Sequence, residues 1–189
     1  ACLITGCLAG CDGFFEAPHG GVNSGNEALS ADNVEGALAA YEAAAAELPE
    51  SPELDFDRGI ALSAANRHDE ATQRLLRALQ TKDSSFAPSV HAALGAAYSR
   101  WALDLERAAS SASAAAARDQ AVDAPAVEPP DPAATALPKW ERAVDHLEKS
   151  LRSRTDPDVL RNLEIALLRV DPPCASRNDE HEPNDRPEQ

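Results

Sequence analysis

Asp32-Asn33-Val34-Glu35-Gly36-Ala37-Leu38, continued by Tyr41, Ala44 and Pro49, and Asn66-Arg67-His68-Asp69-Glu70-Ala71, continued by Leu75 and Ala78, carry one pattern twice. Ala37 and Ala71 are 34 residues apart, and so are Tyr41 and Leu75, Ala44 and Ala78, and, upstream, Gly25 and Gly59. Small, large and small side chains return at a fixed period. Ala or Gly at a contact point lets two helix backbones approach, and the large residue fills the space beside them. A period of this length predicts stacked helical hairpins rather than one globular core.

The rest of the chain agrees with helix. Prolines at 18, 49, 52, 88, 125, 138, 157 and 172 bound long proline-free stretches. Proline is barred from helix interiors and accepted in the first turn, so those stretches permit helices. They are rich in Ala, Leu, Glu, Arg and Gln, all strong helix formers. No segment alternates with period two, so strands are not expected and the fold class is all-α. Of the 189 residues 39 are alanine, so the hydrophobic fraction of 43% overstates the bulky core.

With those residues in view, the pattern resembles the tetratricopeptide repeat. The two stretches above match its second helix. Leu94-Gly95-Ala96-Ala97-Tyr98 matches its first-helix core, and Asn162-Leu163-Glu164-Ile165-Ala166-Leu167 is a further copy with Glu where Gly is usual. Trp140-Glu141-Arg142-Ala143, with Leu147 and Ser150, supplies the second helix of a third repeat. The resemblance covers about residues 24–171 and implies an antiparallel helix-pair solenoid. In the second repeat Arg58 stands where the family has Leu, so that helix is expected to be less well buried than the family norm. An insertion at about 102–137 separates Gly95 from Ala143. Its Ala-rich start is expected to extend the preceding helix, and residues 124–138 read as a Pro-rich loop.

The two ends read differently. Ala1–Cys11 is apolar and rich in small residues, like the end of an export signal. Leu8-Ala9-Gly10-Cys11 resembles the bacterial lipobox, which implies a lipid anchor on Cys11; Ile4-Thr5-Gly6-Cys7 is an overlapping match, and the turn to polar sequence at Asp12 favours Cys11. Residues 12–23 read as a flexible tether, with Gly20-Gly21-Val22-Asn23-Ser24-Gly25 as linker. Residues 172–189 read as a disordered acidic tail. Within that tail, Asp179-Glu180-His181-Glu182-Pro183-Asn184-Asp185 resembles the opening of pre-peptidase C-terminal β-domains. The alternative it implies is a lipid-free secreted adaptor linked to such a domain.

The net charge is −15, and residues 1–57 hold eleven acidic and no Lys or Arg side chains, which argues against a nucleic-acid partner. No run of 18 apolar residues exists to cross a membrane, so membrane contact is expected through lipid only. No metal, nucleotide or hydrolase motif is present, the five histidines have no ligand spacing, and neither a cofactor nor a small-molecule substrate is expected. His91 and His146 read as surface or partly buried helix residues, and Trp101 and Trp140 as packing residues. What remains is a non-catalytic scaffold that binds a protein or peptide at a cell envelope. The family's groove positions fall on Phe56, Asp57, Ile60 and Ser63, on Ala92, Ala93, Ala96 and Ser99, and on Arg161, Asn162, Ile165 and Arg169. Of the basic clamp by which chaperone-binding relatives hold a terminal carboxylate, only Asn26 coincides, so that binding mode is not expected.

Overall fold

The computed structural model describes residues 20–48, 51–119 and 132–171. They form α1 (Gly20–Ser30), α2 (Val34–Glu47), α3 (Pro52–Ala64), α4 (His68–Ala78), α5 (Ala87–Asp119), α6 (Pro132–Leu151) and α7 (Pro157–Val170), with no strand among the described residues. The protein is all-α, and consecutive helices pack on one another within two compact units, Ala1–Gln80 and Thr81–Gln189.

The 34-residue period has a direct structural cause. A Cβ built on Gly25 would lie 2.3 Å from the ring of Tyr41, and one on Gly59 would lie 2.6 Å from Cγ of Leu75. In the second unit a Cβ on Gly95 would lie 2.4 Å from Cγ of Leu147. Each glycine of a first helix thus receives the large residue of the next. The alanines one turn earlier, Ala37, Ala71 and Ala143, are each 0% exposed, so the backbones meet there. In the first unit Ala37, Tyr41, Ala44, Leu54 and Ala61 form the core, with Val22, Leu29 and Leu48 against it. In the second, Val90, Leu94, Ala97, Trp140, Ala143 and Leu147 are buried together with Val159 and Ala166 of α7.

The turns repeat too. Asp32 and Asn66 take positive φ (59° and 58°) in the α1–α2 and α3–α4 turns. Asn33 N–H donates to Ala28 O and Asp32 N–H to Leu29 O; Arg67 N–H donates to Leu62 O and Asn66 N–H to Ser63 O. This is the same helix-closing bond pair in both hairpins, with Asp and Asn at the left-handed position that glycine usually fills. The exposed Asn66 side chain makes no bond among the described residues. Asn66→Gly is therefore expected to stabilise the chain by about 0.5–1 kcal/mol, read as a higher urea midpoint. A lower midpoint would mean that the turn depends on the side chain. Downstream elements start on polar caps: Ser51 Oγ accepts from Leu54 N–H (3.2 Å), and Asp156 Oδ1 accepts from Asp158 N–H (2.9 Å) and Val159 N–H (3.3 Å).

Two details depart from the sequence reading. α1 begins at Gly20, so residues 20–23 are helical rather than tether. Val22 packs on the core, and that contact outweighs glycine's poor helix propensity. Residues 132–137, expected in the Pro-rich loop, belong to α6, and Pro138 lies inside that helix. Ala134, whose carbonyl Pro138 leaves without its helical donor, is exposed, so water can satisfy it. At the Arg58 position the side chain is 11% exposed and pairs with Glu42 of α2. Burial and the nearby Arg74 lower its pKa, and the long stem covers apolar surface while the head finds a carboxylate. The export-signal segment with Cys7 and Cys11, the rest of the tether and the tail 172–189 lie outside the described residues.

Candidate functional site

Phe56, Asp57, Ile60 and Ser63 run along one stripe of α3, and all four are half-buried. Asp57 is the unusual member. Its carboxyl has no hydrogen-bond or ion-pair partner among the described residues. Burial, and then Glu53 one turn earlier, push its pKa up to about 6. The phenol of Tyr41, itself pushed up to about 12 by burial and by Asp57, donates to Asn26 Oδ1 at 2.6 Å. Tyr41 of α2 thus links Asn26 of α1, by a hydrogen bond, to Asp57 of α3, by charge, and Asp57 has no ion-pair partner among the described residues. Asp55, on the same helix, is satisfied in the opposite way: Arg74 and Arg77 of α4 stand 3.0 and 3.7 Å from its Oδ1.

The remaining groove positions lie in the second unit. On α5, Ala92, Ala93 and Ser99 are half-buried and Ala96 is exposed; Ser99 Oγ is buried without a hydrogen bond. On α7, Asn162 is half-buried, Ile165 is 44% exposed and Arg161 stands 3.7 Å from Asp158. Arg169 is engaged internally. It donates to Glu106 Oε2 at 2.6 Å, and its guanidinium carbon lies 5.7 Å from the centre of the Trp140 ring. The structure thus gives Arg169 an internal bracing contact, which the sequence pattern does not reveal. Ala92 also lines a hollow of about 190 Å³ with Pro88, Ser89, Ser150, Arg154, Asp156 and Val159, whose Arg and Asp carry opposite charges.

Two features of the second unit escaped the sequence. His91 of α5 and His146 of α6 meet through their Nδ1 atoms at 2.9 Å, and the Tyr98 ring stacks on His146 with centroids 5.7 Å apart. Lys139 places its ammonium 3.5 Å from the centre of the Trp101 ring, a cation–π contact. No group of three or more potential metal-ligating side chains occurs among the described residues, and none of their helices is long and apolar enough to cross a membrane. Neither a protein-family model nor a curated protein matches this chain.

Proposed function

We propose that this chain is a non-catalytic, tetratricopeptide-like scaffold that binds a protein partner on its first-helix faces and is held at a bacterial envelope by lipid on Cys11. The observation that carries the reading is the glycine–large-residue contact, made in the same way at Gly25, Gly59 and Gly95. A hairpin packed by that rule spends its small residues on its neighbour and leaves the outer stripe of the first helix for recognition. On α3 that stripe contains a carboxylate, Asp57, with no ion-pair partner among the described residues, so the partner presents a basic side chain beside an apolar one. Ion pairing there returns to Asp57 some of the solvation that burial removed.

The test has two arms. The chain immobilised on beads is expected to capture an envelope protein that the Phe56→Ala/Ile60→Ala double variant loses, and capture is expected to weaken below pH 6 as Asp57 takes up its proton. Equal capture by a folded double variant removes the α3 face from the proposal. For the anchor, the mature protein is expected to partition into detergent and to carry added acyl mass, and Cys11→Ser to lose both. An unmodified mature mass refutes the lipid.

A further inference from the structure

Two neutral imidazoles that share a hydrogen bond have room for one proton between them. His91 and His146 are set up in this way. Their Nδ1 atoms lie 2.9 Å apart and their ring centroids 5.2 Å, so the bond length and the two ring radii add nearly end to end. The two Nδ1 positions point at each other along one line. Such a line suits a proton, whereas a metal ion needs ligand lone pairs that converge to one side of it. One ring donates its Nδ1–H and the other accepts, each on a different helix. His146 is 5% exposed, and Tyr98 lies flat against it, so the ring cannot swing into water without disturbing the α5–α6 seam.

We propose that the His91–His146 pair is an acid-sensitive latch between α5 and α6, closed while at most one extra proton is held and forced open when both rings are protonated. A first added proton settles on the outward Nε2 of the donor ring and leaves the bond in place. A second puts N–H against N–H at hydrogen-bond distance and two positive charges across a buried contact, so the rings must part and take the helices with them.

The surroundings act in the same direction. Burial lowers both pKa values, that of His146 to about 4, and the charge of His91 adds to the effect on His146. Lys149 and Arg142 of α6, with Arg152 just beyond its end, also disfavour the imidazolium forms, while Asp145 favours them and is itself tied to Lys149 at 2.7 Å. From α5 the Tyr98 ring, besides His91, lies against His146. Because the folded His146 pKa lies below its unfolded value near 6.5, the unfolded chain binds more protons as pH falls. The stability contribution is full above that value and is lost on the way down to about 4.

Both tryptophans, Trp101 and Trp140, lie in the second unit, so their fluorescence follows that unit. Asp57, in the first unit, has its pKa raised, so acid relieves its cost and shifts stability the other way; it is the same in wild type and variant, so it cancels in their comparison. Urea unfolding of the full chain is followed by tryptophan fluorescence at pH 7.5 and 4.5, with His146→Gln alongside. The unfolding constant of the wild type is expected to rise roughly 70-fold more than that of the variant, whose amide cannot titrate in this range. An equal rise in both overturns the latch. If His146→Gln fails to fold, the histidine ring protons of the wild type are titrated by NMR. Two rings with pKa well below 6.5 that move together support the proposal, and five rings that titrate independently near 6.5 overturn it.

Discussion

Trp140→Ala is expected to lower the unfolding free energy read from the second unit by about 3–5 kcal/mol, a large part of the ~5–15 kcal/mol that holds a typical domain folded. Trp140 is 1% exposed and ties three helices together. Its indole N–H donates to Glu106 Oε1 of α5 at 2.8 Å, and Glu106 Oε2 accepts from Arg169 of α7 at 2.6 Å. Truncation leaves a cavity, strips one partner from Glu106 and removes the ring beside Arg169. Trp140→Phe separates these effects. It refills most of the space and removes only the donor, so about 1–2 kcal/mol is expected. Glu106, 19% exposed, keeps Arg169 in that variant. Urea unfolding followed by far-ultraviolet circular dichroism, with Trp101 as the remaining fluorophore, ranks the two variants. Equal losses for Ala and Phe would mean that the hydrogen bond, not the volume, carries the contact.

The contrast between Trp140 and Gly59 shows what a linear sequence can display. A contact that needs a small residue constrains identity directly. Gly25, Gly59, Ala37 and Ala71 therefore announce the helix crossings by spacing alone, and the all-α class follows from the proline punctuation between them. A contact that needs a partner does not announce itself. Arg58 looks like a misplaced charge until Glu42 is found beside it. His91 and His146 lie 55 residues apart across the insertion, with no spacing rule to connect them. Arg169 reads as a groove cation, yet the structure spends it on Glu106 and the Trp140 ring. Helix extent is also set by tertiary packing rather than propensity, which is why Val22 carries α1 back to Gly20. The α3 positions of the candidate face follow from the repeat register, which puts Phe56, Asp57, Ile60 and Ser63 on one stripe. The charge state of Asp57 does not follow from it, since it depends on burial and on Glu53.

The repeat register itself makes the second large prediction, through Leu75. This side chain is 1% exposed and lies directly over Gly59, so Leu75→Ala is expected to cost about 2–5 kcal/mol through lost burial and the cavity left behind. Gly59→Ala attacks the same contact from the other side. Its new Cβ would meet Cγ of Leu75 at 2.6 Å and Cδ2 at 2.8 Å, while the carbonyl of Ala71 stays at 3.3 Å. The leucine must therefore move aside, and the Ala71 carbonyl must give by a few tenths of an ångström. Overpacking costs about 1–3 kcal/mol, and the better helix propensity of alanine returns about 1 kcal/mol of it. In the double variant the clash with the leucine has gone, because the added methyl enters the space that Leu75 vacated, and only the tight contact with the Ala71 carbonyl remains. The double variant should thus be more stable than Leu75→Ala alone, with a coupling of about 1–3 kcal/mol between the sites. Chemical denaturation of the four proteins, followed by circular dichroism, measures that coupling. Additive losses would show that Gly59 and Leu75 do not meet. The same cycle at Gly25 and Tyr41 is expected to couple more strongly, since three ring atoms lie within 2.8 Å of the added methyl and a flat ring cannot fold aside as a leucine does.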